Sequence, residues 1–144
     1  MMRGISGLKK ITMSQRIGLS TLVVSEYDAA IAFFVDKLGF DLVEDTFLES
    51  ENKRWVVVAS DSSTGSGLLL AEASNDVQVR SIGNQTGGRV AFFLYTDDFW
   101  RDFQQYSSKG VKFIREPETH SYGTVAVFED ISGNLWDLIE PTPP

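Results

Sequence analysis

The sequence predicts an α+β fold of two βαβββ modules. Together their eight strands form a half-closed cup with the helices on its convex face. The order strand, helix and three strands occurs twice along the chain. Gly39 matches Gly110, and Val23 matches Leu94, at one common offset of 71 residues (110 − 39 and 94 − 23). A long polar connector separates the two halves, so we interpret the pattern as an internal duplication.

The first half begins with an aliphatic segment, residues 16–24, that predicts a strand. Ser25 with Asp28 three residues later resembles a capping box and predicts a helix over residues 26–37. Gly39 is expected to end that helix. Three further strands are predicted over residues 40–45, 54–60 and 67–73.

The second half repeats this order. A strand is predicted over residues 90–95, and Thr96-Asp97-Asp98 supplies caps for a helix over residues 97–109. Lys109-Gly110 marks the end of the helix. The last three strands are predicted over residues 111–115, 124–128 and 135–139.

The expected domain organisation follows from these elements. Residues 1–13 form an N-terminal extension, because Met13 resembles a natural start, and residues 14–144 form one domain. The domain divides into a first module, a connector and a second module, at residues 14–73, 74–87 and 88–141.

The composition limits the classes of partner. The chain has 13 basic and 20 acidic residues, a formal net charge of −7, which disfavours nucleic acid and anionic membranes. It has no cysteine, which suits a cytoplasmic protein, and no apolar run approaches the roughly 20 residues that span a bilayer.

The closing hairpin contains an unusual carboxylate. Asp130 and the segment Ser132-Gly133-Asn134 predict a tight turn before the last strand. On that strand Asp137 lies between Leu135 and Ile139 on one face, which is expected to line the cup.

Several segments resemble the vicinal-oxygen-chelate superfamily, which includes glyoxalase I, extradiol dioxygenases, and fosfomycin- and bleomycin-resistance proteins. The segments that resemble it include Leu22-Val23-Val24, Leu38-Gly39-Phe40, Lys109-Gly110-Val111, Glu116-Pro117 and residues 128–141. The resemblance implies the cup-shaped fold, a small-molecule ligand, and a homodimer in which the partner often completes the cup.

Metal-binding members of this superfamily hold Fe, Mn, Ni or Zn through His, Gln or Glu on the strands. By motif, the matching positions here are Leu19, about Leu70, Arg89 and Asp137, and Glu72 is a further oxygen donor near the second of them. Leucine and a charged guanidinium cannot ligate a metal ion. We therefore expect no metal cofactor, with a divalent metal as the alternative.

Strand alternation and loop positions nominate the remaining site residues. Arg89 and Asp137 are expected to form an ion pair in the cup, and Asp137 could instead serve as a general base or a ligand anchor. His120, the only histidine, is expected in the loop over residues 117–123 and could act in acid–base chemistry. The candidate ligand-binding residues are Leu19, Arg54, Arg89, Phe93, Tyr95, Tyr122 and Asp137.

Three functions are compatible with these residues. The first is a small-molecule binder without a metal, as in bleomycin-resistance proteins. The second is a metal-dependent lyase, isomerase or extradiol dioxygenase of the same superfamily. The third is a metal-free enzyme that uses Asp137, His120 or Tyr122. The sequence favours the first because the matched positions lack metal ligands.

Overall fold

The computed structural model describes residues 14–144, and the predicted extension over residues 1–13 lies outside the described residues. Eight strands form two four-stranded sheets with the orders β1-β4-β3-β2 and β5-β8-β7-β6. The strands of sheet A are β1 Leu19–Val24, β2 Asp41–Leu48, β3 Lys53–Ala59 and β4 Gly67–Glu72. Those of sheet B are β5 Val90–Tyr95, β6 Lys112–His120, β7 Gly123–Glu129 and β8 Leu135–Pro141. The α+β class with two βαβββ modules is therefore confirmed.

The two sheets have the same internal pairing. The first strand of each module runs parallel to the last one, so β1 pairs with β4 and β5 pairs with β8. All other neighbours are antiparallel. This shared topology supports the duplication inferred from the sequence.

Each module has a helix after its first strand. Helix α1, Tyr27–Ile31, continues as a π-helix over Ala32–Lys37, in which the Leu38 N–H donates to the Phe33 carbonyl at 3.2 Å. Helix α3, Phe99–Ser108, is the counterpart in the second module. No helix within residues 14–144 is long and apolar enough to cross a membrane.

The connector contains a short helix that the sequence did not predict, α2 over Asp76–Ser81. The Asn75 side chain begins it by accepting a hydrogen bond from the Gln78 N–H at 2.8 Å. Within α2, Val77 and Val79 are exposed, so the segment has no continuous apolar stripe from which periodicity could reveal a helix.

The predicted helix caps have different outcomes. Asp98 caps α3 by accepting from the Arg101 N–H at 3.2 Å, as expected. The prediction that Ser25 caps α1 is wrong, because Glu26 precedes the helix and no side chain caps it. The first strand is also shorter than predicted, since β1 begins at Leu19.

One hydrophobic core joins the two modules on the helix side of both sheets. Leu22, Val24 and Phe34 of the first module belong to the same buried cluster as Trp136 and Leu138 of β8. The ring centroids of Phe34 and Trp136 are 5.7 Å apart. The alternate residues of each strand therefore lie on the opposite face, which we call the open face.

The turn between β7 and β8 is organised by the Asp130 carboxylate, which is only 5% exposed. It accepts hydrogen bonds from the backbone N–H of Ser132 and Asn134 at 2.9 and 3.0 Å. It also accepts from the Trp136 indole N–H at 3.0 Å. Because the indole is held on the helix side, the next residue, Asp137, faces the open side.

The free edge of β1 is partly covered by a side chain of the connector. The Gln85 amide donates to the Thr21 carbonyl at 3.0 Å and accepts from the Val23 N–H at 2.5 Å. These are the two contacts that one residue of a parallel neighbouring strand would make. The connector therefore protects part of the β1 edge.

Candidate functional site

Four side chains form one row across the open face of sheet B. Phe93 of β5 is in register with Asp137 of β8, Asp137 with Val127 of β7, and Val127 with Arg115 of β6. Residues in register project on the same side of a sheet. We call these four residues the charged row.

Arg115 reaches this face because of a β-bulge. Phe113 pairs with Phe128 and Arg115 pairs with Val127, so Ile114 is the extra residue of β6. Phe113 packs against the core on the helix side. Regular alternation would place Arg115 on that side as well, and the bulge turns it to the open face instead. The residue pattern of β6 alone therefore does not reveal that Arg115 belongs to the site.

Asp137 has no partner among the described residues. Its carboxylate accepts no hydrogen bond and forms no ion pair within residues 14–144, although the side chain is partly buried. Burial raises the pKa of Asp137, and the positive charge of Arg115 acts in the opposite direction. Among the described residues, Arg115 is the cation whose charge lowers the pKa of this carboxyl.

A cavity of about 170 Å³ lies along the Arg115, Val127 and Asp137 part of the charged row and contains three of the predicted site residues, His120, Tyr122 and Asp137. Its lining includes Asp137, Arg115, His120 and Tyr122. His120 ends β6 rather than lying in a loop, and its Nε2 is 3.0 Å from a Glu118 carboxylate oxygen. Its ring stacks on Tyr122 with the two centroids 5.0 Å apart.

Exposed aromatic side chains border the same face. Phe93 is 58% exposed and Tyr95, two residues along β5, is 65% exposed. Tyr95 is in register with Ile139, which is in register with Val125. The open face of sheet B therefore combines two charges with an apolar and aromatic surface.

Sheet A has an equivalent row, which consists of Thr21, Leu69, Val57 and Glu44. A bulge between Leu42 and Glu44 corresponds to the one that turns Arg115. Leu69 of β4 thus occupies the place that Asp137 occupies in β8. Leu19 also lies on this open face and is 43% exposed.

The sequence assigned the wrong residues of β4 to the cup. Leu70 is 1% exposed and belongs to the core on the helix side. Glu72, with the same strand parity, shares that side and is in register with the buried Val24. The open-face residues of β4 are instead Leu69 and Ala71, neither of which has a metal-binding atom.

The prediction that Arg89 and Asp137 form an ion pair is wrong, since no such pair occurs among the described residues. Arg89 is exposed and precedes β5. The pairing of β5 with β8 is irregular between Val90 and Phe92. Alternation therefore cannot be extended from Phe93 back to Arg89.

Arg54 also lies away from the site. Its guanidinium forms two hydrogen bonds with the Asp45 carboxylate, at 3.1 and 2.7 Å, and one with Asp28 of α1 at 2.9 Å. The hydrogen bonds that Arg54 donates to Asp45 lower the pKa of Asp45. The guanidinium also lies over the Tyr27 ring, 5.1 Å from its centroid. Arg54 thus joins sheet A to α1 on the helix side.

Four larger cavities lie elsewhere among the described residues, and two of them are lined mainly by residues of the strands. One of about 360 Å³ between the modules is mainly apolar and is lined by residues that include Phe40, Leu68 and Trp136. Another of about 530 Å³ lies where β3 and β4 separate, beside Trp55. Among the described residues, the lining of the first contains no ionisable side chain, and the unpaired Glu72 of the second is exposed rather than partly buried like Asp137. We therefore place the candidate site at the smaller cavity.

The residues do not fit a metal site of the kind that the superfamily implies. Within residues 14–144, no cluster of three or more His, Cys, Asp or Glu side chains could hold a metal ion. On the strands where metal-binding members of the superfamily carry their ligands, the open-face residues here include Leu19, Leu69 and Asp137. Together these three residues offer one carboxylate.

Comparisons with known proteins agree with this architecture. The family model of the Glyoxalase/Bleomycin resistance protein/Dioxygenase superfamily matches residues 16–138. This chain belongs to that superfamily.

Individual relatives have similar lengths. An uncharacterized protein of Shewanella frigidimarina is 56% identical over 128 residues, which cover 89% of this chain and 95% of that protein. The crystal structure of UcmS2 matches with a TM-score of 0.77 and 26% identity, over 88% of this chain and 98% of UcmS2. TnmS3, an antibiotic binding protein from Streptomyces sp. CB03234, matches with a TM-score of 0.72 and 26% identity, over 91% of this chain and 99% of TnmS3.

Proposed function

We propose that this chain binds a small organic molecule on the open face of sheet B, through its own side chains rather than through a metal ion. The observation that supports this most is the charged row itself. Asp137 is partly buried and has no partner within the described residues, next to the exposed ring of Phe93. A carboxylate without a partner on an apolar surface is costly unless a ligand uses it.

The structural relatives support the same class of function. TnmS3 is an antibiotic binding protein, and its fold covers nearly all of this chain. Its ligand is not transferred here, because the same fold supports different ligands. We carry over only one property to this chain, which is that the fold binds a small compound.

A second copy of the chain is proposed to cover the open faces. Leu19, Phe93 and Tyr95 are apolar or aromatic residues that a single chain leaves exposed on these faces. Clusters of exposed apolar residues on sheets favour association. Light scattering should give the mass of two chains, and the mass of one chain at micromolar concentration would contradict the homodimer.

The binding proposal can be tested with a neutral aromatic probe, N-phenyl-alpha-naphthylamine, whose fluorescence rises in apolar sites. Protein dialysed against EDTA should show a saturable fluorescence increase. The double variant Phe93→Ala with Tyr95→Ala should weaken it about tenfold. Trp100→Ala is the matched control, because Trp100 is a 54% exposed aromatic residue of α3.

Two results would overturn this proposal. The first is saturable binding that appears only when Fe, Mn, Ni or Zn is added back. The second is binding that Trp100→Ala removes and that the Phe93 and Tyr95 variant leaves unchanged.

A further inference from the structure

We infer that the ligand of sheet B is a small zwitterion, with its cationic group at Asp137 and its anionic group at Arg115. This inference rests on the proposed function and specifies the chemical class of the ligand. The structural basis is the order of the charged row, in which one buried apolar residue separates two opposite charges.

The two charges are near each other but do not neutralise each other directly. Asp137 of β8 and Arg115 of β6 are each in register with Val127 of β7, which lies between them. Adjacent strands are about 4.8 Å apart, so roughly 10 Å separates the two backbones. Within residues 14–144 neither Asp137 nor Arg115 forms an ion pair, so both remain available to a ligand.

The charge pattern selects the kind of ligand. A compound with one positive charge is attracted by Asp137 and repelled by Arg115, and a compound with one negative charge meets the reverse. Only a compound with both charges is complementary to both residues. Arg115 can also bind a carboxylate with two parallel hydrogen bonds.

Neighbouring charged groups do not remove this pattern. Glu118 is nearest to His120, with which it shares a contact of 3.0 Å. Glu116 lines the same cavity and is exposed, and among the described residues it forms no ion pair with Arg115. The guanidinium of Arg115 therefore keeps its capacity for an external anion.

The cavity also limits the size and shape of the ligand. Its volume of about 170 Å³ lies below the range of about 300–1,000 Å³ that is usual for drug-sized ligands. Val127 is 4% exposed and forms an apolar floor, with the Phe93 ring at one end of the row. A suitable compound therefore has a short, flat apolar body with the two charges at opposite ends.

A set of four related probes tests the inference. The zwitterion is para-(aminomethyl)benzoate, whose ammonium and carboxylate lie at opposite ends of one ring. Its methyl ester has only the positive charge, its N-acetyl derivative has only the negative charge, and the doubly blocked compound is neutral. Affinities are measured by titration calorimetry or ligand-observed NMR at neutral pH, with EDTA-treated protein.

We expect the zwitterion to bind about tenfold more tightly than each of the other three probes. Arg115→Gln should reduce its affinity to that of the ester, and Asp137→Asn should reduce it to that of the N-acetyl derivative. Arg89→Gln and Glu72→Gln are matched controls outside the charged row and should leave all four affinities unchanged. Circular dichroism checks that each variant is folded.

The remaining outcomes separate this inference from the proposed function. If the neutral probe binds as tightly as the zwitterion, the inference is wrong and small-molecule binding stands. If the Arg115 and Asp137 variants prefer the zwitterion over the other probes as strongly as the wild-type protein does, the zwitterion binds elsewhere and the inference is wrong. If no probe binds, both the inference and the proposed site on sheet B are contradicted.

Discussion

Asp137 and Arg115 lie on the same face of sheet B, on either side of Val127, with which both are in register. Among the described residues, the cation whose charge acts on Asp137 is the Arg115 guanidinium. This relationship explains why the site suits direct recognition of a ligand. Substitutions on the open face should therefore affect ligand binding, and substitutions on the helix side should affect stability.

The first prediction concerns the cost of the Asp137 charge. Burial raises the pKa of Asp137 in the folded protein, so ionisation destabilises the native state. Asp137→Asn should therefore increase the free energy of unfolding at neutral pH. The gain should shrink as the pH falls through the raised pKa, and should be gone below the unfolded value of about 3.9. Denaturant titrations at several pH values measure this.

Asp36→Asn is the control for that experiment, because Asp36 is an exposed carboxylate of the π-helix. A variant Asp137→Asn that is less stable than wild type at neutral pH would show that the carboxylate has a stabilising partner. The conclusion that Asp137 has no partner among the described residues would then be wrong.

The second prediction concerns the turn that orients β8. Asp130→Ala should lower the free energy of unfolding by about 3 kcal/mol, because it leaves several buried N–H donors without an acceptor. Asp130→Asn, which keeps one acceptor oxygen at this position, should cost less. Chemical denaturation of both variants gives the comparison, and an unchanged midpoint for Asp130→Ala would contradict the arrangement.

The third prediction separates Arg54 from the ligand site. Arg54→Leu should lower the free energy of unfolding by about 1 kcal/mol, because its contacts with Asp45, Asp28 and Tyr27 are only partly shielded from solvent. The affinity for the aromatic probe should not change. Arg80→Leu, in the exposed part of α2, is the control and should have little effect on either quantity. A loss of probe affinity in Arg54→Leu would mean that the site extends to the helix side.

Regular alternation was sufficient to predict much of this structure. It placed Asp137 on the open side, because β8 pairs with β7 without a bulge over that residue. The order of elements was equally clear, since each helix has an aromatic stripe and a strong terminator.

The missed parts depend on pairing rather than on local pattern. The extra residue Ile114 turns Arg115 to the open face, and the irregularity between Val90 and Phe92 separates Arg89 from the alternation of β5. A bulge arises from how two strands align, and neither strand alone reveals it. Motif matching points to Leu70 rather than Leu69, and an error of one residue exchanges the two faces of a strand even though β4 pairs without a bulge.

The most direct test of the account is a map of backbone amide NMR shifts in EDTA-treated protein titrated with N-phenyl-alpha-naphthylamine. We expect the largest shifts at Val125, Val127, Asp137 and Ile139, on the open face of sheet B. Phe93 does not distinguish the two sites, because it also lines the apolar cavity between the modules. Shifts confined to Phe40, Leu68 and Trp136 would place the probe in that apolar cavity and would contradict the account.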